Sequence, residues 1–382
     1  MHEDLYPDPA PPQTFRMRLI AWRNRLFASR SFQRHAARNP LLRPIARRRA
    51  RAVFDLVAGF TYTQTTLAAV ESGLLDRLEH GPASLADIAA TTGLNDDAAA
   101  RLVRAAAAIG LAEEAEPGWW LLGRHGAALQ GNPGAVAMIR HHRLLYADLA
   151  DPLALLKGDR RDPTNLSSFW TYSAEPHDAS HPAGAAADYS RLMADSQVAV
   201  ADEVIAAFRF DNHRSLLDVG GGSGTFLRRL SAAHPDLRLG LFDLHDVVAL
   251  ARRRFEQDHH GTQPEFHAGS FLTDSIPQGY DLVSLVRILH DHDDAPAQKL
   301  LQDIHRAMRP GAQLLVAEPM AATPGAEAMG DAYFGLYLWA MGSGRPRRAE
   351  EIRAMLAEAG FARSRRIATN QPLITSLIVA TA

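Results

Sequence analysis

The chain reads as an α/β protein in two parts, a helical N-terminal domain ending in a small wing and a C-terminal domain built on a parallel sheet. Three observations lead there. Apolar strand-like runs alternate with helical segments from Ser215 onward, a glycine-rich turn follows the first of those runs, and residues 84–123 follow a helix, turn, helix, hairpin pattern. Length agrees, because 382 residues exceed the roughly 250 to 300 that one hydrophobic core organises.

Composition narrows the function classes. An apolar fraction of 47% and a charged fraction of 22% are those of an ordinary globular protein, and no apolar run approaches the ~20 residues that span a bilayer. The chain has no cysteine, which excludes disulfides, thiolate nucleophiles and Cys-ligated zinc. No signal-peptide pattern opens it, so a cytoplasmic protein is expected. The net charge of −2 conceals an asymmetry: Arg16 to Arg51 holds 12 arginines and no acid, whereas residues 52–382 hold 29 basic and 40 acidic groups. A basic arm on an acidic body is drawn to anionic surfaces.

Taken in order, residues 1–15 contain Pro7, Pro9, Pro11 and Pro12 and read as a leader that sustains neither helix nor central strand. From Phe15 to Phe60, Leu19, Ile20, Trp22, Leu26, Phe27 and Phe32 alternate with arginines, and Pro40 and Pro44 interrupt them, a pattern of short helices. We divide the chain into a basic arm (1–50), a winged-helix dimerisation domain (51–165) and a catalytic domain (166–382). The arm suits peripheral contact with a membrane interface or packing on a partner subunit. In the second domain Ser84 caps a helix, Gly93 breaks it, Asp96 opens a second helix to Ile109 and Gly110 ends that. A winged helix can read DNA, but here Asn95, Asp96 and Asp97 would face the phosphates, so a homodimer scaffold is expected and no nucleic acid partner. A linker region over Asp159 to Gly184 and a helix over Ala186 to Phe208 lead into the catalytic domain. Its strands are expected at Leu216–Val219, Leu237–Phe242, Glu265–His267, Tyr280–Leu289, Gln313–Ala317 and Leu373–Ala380, with helices after Gly224, from His245 and over Ala295–Met308. This alternation gives a Rossmann-like parallel sheet with helices on both faces.

The first strand runs into Asp218-x-Gly220-x-Gly222-x-Gly224. Glycines spaced by two, rather than as Gly-x-Gly-x-x-Gly, favour S-adenosylmethionine over a dinucleotide as the cofactor; residues without side chains let the backbone approach the ligand at the open strand end. Asp243 ends the second strand about 20 residues on, where a carboxylate accepts hydrogen bonds from ribose hydroxyls. Ser270 and Phe271, after the third strand, are placed to bracket an adenine. At the end of the fourth strand stands Arg287-Ile288-Leu289-His290-Asp291-His292-Asp293-Asp294. His290 there meets the crevice where open α/β sheets bind substrates, and a neutral imidazole is the natural group to take a hydroxyl proton. Asp291 or Glu318 could orient it. Consecutive residues rarely converge on one ion, so no metal is expected.

With these residues in hand, the sequence resembles the small-molecule O-methyltransferases of the plant caffeate and bacterial polyketide type, over residues 50–382. The resemblance rests on the winged-helix pattern, the Asp218 to Gly224 turn, Asp243, Ile288-Leu289-His290-Asp291, Met308 to Ala312, Val316-Ala317-Glu318-Pro319, and Gly344-Arg345-Pro346-Arg347 before Ala359-Gly360-Phe361. It implies that His290 is the general base, that Glu318 flanks it, that Met193 lies near the reacting methyl group, and that Asp218, Gly220 and Asp243 hold the donor. Gly222, Gly224 and Arg287 complete the expected cofactor set. Within the family, the basic arm and the segment Gly330 to Gly342 resemble the hydroxycarotenoid O-methyltransferases of purple phototrophic bacteria, which implies an apolar acceptor met by Phe334, Tyr337 and Met341. An aromatic polyketide phenol, a tetrapyrrole, or a ligand-sensing regulator on the same scaffold are the rival readings. Three positions depart from the family: Ser270 stands where many members have Asp, His292 replaces a Trp, and Pro346 replaces a second glutamate of the plant enzymes.

Overall fold

The computed structural model describes residues 14–170, 196–257 and 262–382. The leader, Met193 and the first part of the helix expected from Ala186 lie outside them.

The basic arm is helical. Helix α1 (Phe15–Ala28) starts where the Thr14 hydroxyl accepts from the Met17 N–H, and α2 (Arg30–Arg38) where the Ser29 hydroxyl accepts from the Phe32 N–H. Pro44 lies in the first turn of α3 (Arg43–Glu71), where a missing N–H costs nothing. That 29-residue helix runs through positions 50 and 51, carrying the arm continuously into the body. Val53, Phe54, Leu56, Val57 and Phe60 leave its apolar side exposed. No helix among the described residues is long and apolar enough to cross a membrane.

After α4 (Leu74–Glu79) comes the wing: β1 (Ala83–Ser84), α5 (Leu85–Thr92), α6 (Asp96–Ala108), β2 (Ala112–Glu116) and β3 (Trp119–Leu122), with strands in the order β1-β3-β2. Ser84 and Asp87 form a reciprocal cap on α5, Gly93 ends it at φ +68°, and Asn95 caps α6. Leu74, Leu75, Ile88, Val103 and Trp120 fill this small core. Helices α7 (Arg124–Gln130), α8 (Pro133–Asp148), α9 (Pro152–Lys157) and α10 (Asn165–Phe169) follow.

The second layer begins with α11 (196–207). The main sheet comprises β4 (Ser215–Val219), β5 (Arg238–Asp243), β6 (Glu265–Ala268), β7 (Leu282–Val286), β8 (Gln313–Glu318), β9 (Arg363–Ile367) and β10 (Ser376–Thr381), in the order β6-β5-β4-β7-β8-β10-β9. Helices α12 (Thr225–Ala233), α13 (His245–Gln257) and α14 (Asp294–Ala307) are the crossovers. A π-helix (Ala328–Phe334), α15 (Gly335–Met341) and α16 (Ala349–Glu358) lie between β8 and β9. Leu217, Val219, Val283 and Leu285 pack one face against Leu300, Leu301 and Ile304, while Leu216, Leu282 and Val286 pack the other with Val204, Phe226 and Leu230.

Three expectations are corrected. The sheet is mixed, since β10 runs antiparallel to both β8 and β9: residues 368–375 are too short for a parallel crossover, which takes a dozen or more. Strand β9 was not foreseen, because Arg-Ser-Arg-Arg-Ile carries the charges of a solvent-facing edge strand rather than an apolar run. The strand expected over Tyr280–Leu289 is also shorter, leaving the sheet at Arg287, whose φ of +60° is rare for a residue with a side chain. Leu145 of α8 meets Leu166, Trp170, Tyr337, Leu338 and Met341 in a core at the junction of the two domains.

Candidate active site

At the end of β4 the three spaced glycines all take left-handed φ, +72° at Gly220, +58° at Gly222 and +81° at Gly224, which only glycine adopts without strain. Their surroundings differ. A Cβ on Gly220 would lie 2.5 Å from the Ile288 side chain and 3.5 Å from Phe271; one on Gly224 would lie 2.6 Å from the Phe255 ring; one on Gly222 would meet nothing within 4 Å. Gly220 and Gly224 therefore serve close packing, against Ile288 and Phe255, while Gly222 leaves its backbone facing open space.

Asp243, 4% exposed at the end of β5, accepts from the Gly222 N–H at 2.7 Å and from the Leu244 N–H at 2.7 Å. Burial pushes its carboxyl up to about 6 against those two hydrogen bonds. Asp218, beneath the turn, accepts from the Ser284 hydroxyl at 2.6 Å, and burial pushes it up to about 7. Ser284, fully buried in the middle of β7, was missed from sequence; a single serine in Leu-Val-Ser-Leu-Val was the available signal that a buried polar group awaited it. Ser270 donates its N–H to Asp274 and its hydroxyl accepts from the Leu272 N–H, shaping the turn that presents Phe271. The Phe271 ring meets His292 edge-on at 5.3 Å.

Past the end of β7, His290 lies in a single 3-10 turn, Leu289–Asp291, and is 5% exposed. Glu318, ending β8, accepts from the Ile288 and Leu289 N–H groups through Oε1, at 3.0 and 2.7 Å, and faces His290 Nδ1 through Oε2 at 2.5 Å. The other ring nitrogen, Nε2, is 3.1 Å from Asp291 Oδ1. Burial alone would lower the imidazole pKa, but Asp291 and Glu318 outweigh it and raise it above the ordinary value; burial raises Asp291 as well. Both carboxylates named for orientation thus reach the ring, one on each nitrogen.

The remaining residues fall into two groups. Phe334 stands edge-on to His290 at 5.6 Å. Tyr337 and Met341 are buried in the interdomain core, the Tyr337 hydroxyl 3.0 Å from His141 Nε2. The neighbouring pair, Tyr333 and His142, is 2.8 Å apart; neither histidine was singled out in the sequence, where both look like ordinary helix positions. Arg287 reaches α11, donating to the Ser196 hydroxyl at 3.0 Å. Met193 lies outside the described residues.

A doubly wound sheet with its last strand reversed, a three-glycine turn opposite a buried carboxylate, and a carboxylate-held histidine on the adjacent strand define a Rossmann-like methyltransferase domain. Residues 146–362 match the family model described as an O-methyltransferase domain, and the chain belongs to the S-adenosylmethionine-dependent O-methyltransferase family. It is 41% identical to the demethylspheroidene O-methyltransferase of Rhodobacter capsulatus, over 98% of this chain and 92% of that one. It is 38% identical to the enzyme of the same name from Cereibacter sphaeroides, over 93% of each. Among solved structures, a methyltransferase of calicheamicin biosynthesis in its S-adenosylhomocysteine-bound form superposes with a TM-score of 0.71 at 25% identity, covering 87% of this chain and 98% of that one. Human N-acetylserotonin methyltransferase, at 22% identity and a TM-score of 0.71 over 87% and 97%, shares the fold.

Proposed function

We propose that the chain methylates a hydroxyl of a hydroxycarotenoid, with S-adenosylmethionine as donor and His290 as the general base. The observation that carries the chemistry is the clasp of His290 Nδ1 by Glu318 at 2.5 Å. The curated relatives, both named demethylspheroidene O-methyltransferases, support the acceptor class.

The residues at the glycine turn fit the donor: Gly222 faces open space, and the Asp243 carboxylate is buried beside it. When bound there, the donor supplies an electrophilic methyl group on a sulfonium. Asp243 in its ionised form accepts hydrogen bonds from the ribose hydroxyls, Gly220 admits the ligand to the backbone, and Phe271 covers the adenine. For the base, Glu318 accepts a hydrogen bond from the Nδ1–H of His290, which leaves the lone pair on Nε2. Asp291 faces that nitrogen in the structure, so an acceptor hydroxyl takes the place of Asp291 before reaction. The hydroxyl proton then passes to Nε2 as the oxygen bonds to the methyl carbon. An aliphatic hydroxyl is a weak acid, so proton removal keeps step with bond formation and the placement of both groups matters more than basicity. Phe334 beside His290 supplies an apolar wall for the acceptor.

Incubation with labelled donor and a hydroxycarotenoid should move label onto the carotenoid, with a polyketide phenol left unlabelled. Label on the phenol and none on the carotenoid rejects this acceptor.

The exposed apolar side of α3 supports a homodimer, and the 12 arginines of the arm with exposed Phe15, Leu19 and Trp22 support peripheral contact with anionic membrane. A monomer in sedimentation velocity rejects the first; equal pelleting on anionic vesicles with and without residues 1–50 rejects the second.

A further inference from the structure

The turn that carries His290 is held from two sides by opposite charges, and only one of them belongs to the base's own hydrogen-bond system. Glu318 binds the N–H groups of Ile288 and Leu289. The carbonyl side is held by Arg347, a guanidinium 2% exposed. Its Nη1 donates to the Leu289 carbonyl at 2.5 Å, and its Nη2 donates to the His292 carbonyl at 2.8 Å and to Asp294 Oδ1 at 2.7 Å. Its Nε donates to the same Asp294 oxygen at 3.0 Å. One rigid plane therefore fixes the residue before His290, the second residue after it, and the first residue of α14.

The neighbours of Arg347 extend the hold. The Ser343 hydroxyl donates to the Asp291 carbonyl at 2.8 Å, and the Gly344 N–H donates to Asp293 Oδ1 at 3.1 Å. Gly344 has φ +78°, and a side chain there would overlap the His290 carbonyl and come within 2.6 Å of the Asp291 backbone. From the N-terminal domain, Arg160 donates to Asp293 and to the Gly344 carbonyl. These bonds fall two to seven residues past Arg287, where the chain leaves β7 in the left-handed region, a conformation that persists only when the surroundings over-determine it.

We propose that Arg347 is a positioning residue for the methyl transfer: by clamping the carbonyls on both sides of His290 it fixes the imidazole against the acceptor oxygen. The inference rests on His290 being the base.

The test compares Arg347→Lys, Arg347→Ala and His290→Ala in the full-length protein. Lysine keeps the charge and the pairing with Asp294, but an ammonium is a point charge that cannot span both carbonyls. We expect kcat to fall about a hundredfold in Arg347→Ala, the scale of a small misplacement of a reacting group, and about tenfold in Arg347→Lys. The KM for donor should stay within about threefold, and added guanidinium should restore part of the alanine variant's rate. Wild-type kcat in Arg347→Lys overturns the proposal, as does a loss confined to donor KM; should the alanine variant not fold, the lysine variant decides alone. Full activity in His290→Ala would remove the base reading and this inference with it, whereas an inactive His290→Ala beside a fully active Arg347→Lys removes this inference only.

Discussion

The proposed donor half and the proposed base half of the site are built by different means. The donor half is local: Asp218, Gly220, Gly222 and Gly224 lie within seven consecutive positions, and Asp243 closes on Gly222 from the next strand at 2.7 Å. The base half is assembled from afar, with Glu318 from β8, Arg347 from the segment before α16, Arg160 from the N-terminal domain and Phe334 from the π-helix all converging on one turn. A binding surface for a cofactor can be made by backbone and one carboxylate, because the ligand supplies most of the polar groups. An aligned base needs its ring, its tautomer and its backbone each held, and no short stretch of chain offers that many partners.

The largest effect that would sharpen this contrast is on the base half. His290→Ala should lower kcat by roughly 10²- to 10⁴-fold while donor affinity, measured calorimetrically, stays near wild type. A parallel collapse of donor binding would show that the halves are not separable.

Glu318→Gln should come next. With His290 as the proposed base, activity needs the neutral imidazole and is lost as pH falls through the His290 pKa, which the charges of Asp291 and Glu318 raise. The acid limb of the wild-type kcat/KM profile should therefore lie above the ordinary histidine value of about 6.5. In the amide variant the limb should move to lower pH, and the plateau rate should drop about tenfold to a hundredfold, the worth of one charge-assisted hydrogen bond. An unmoved limb would mean that Glu318 acts on the backbone of Ile288 and Leu289 alone.

The smallest effect belongs to the donor half. Ser284→Ala removes the hydroxyl that donates to Asp218 at 2.6 Å and should raise donor KM about fivefold, near 1 kcal/mol, with kcat unchanged. A fall in kcat of similar size would show that the turn also sets the methyl's position relative to His290.

Legibility in the sequence followed the same division. The glycine turn, Asp243 and the strand that presents His290 were plain because each is a contiguous pattern with a local cause. The sequence offered Asp291 and Glu318 as orienting carboxylates without deciding between them, since 28 positions separate Glu318 from His290 and nothing in either segment names the other. Arg347 lay inside a motif that the sequence displayed without a role, and Ser284 hid in an apolar run. His141 and His142, which meet Tyr337 and Tyr333 across the domain junction, gave no periodic or motif signal at all. The edge strand β9 was lost for a complementary reason, because a solvent-facing strand needs no apolar run and so leaves none to read.

By itself the sequence determined the α/β plan, the donor turn and the identity of the candidate base, because hydrophobic period and glycine spacing act over a few residues. The tertiary structure decided which carboxylate meets which nitrogen of His290, which cation holds the turn beneath it, and that the last strand reverses direction. Those are contacts between segments far apart in the chain, settled only when burial forces each polar group to find its partner.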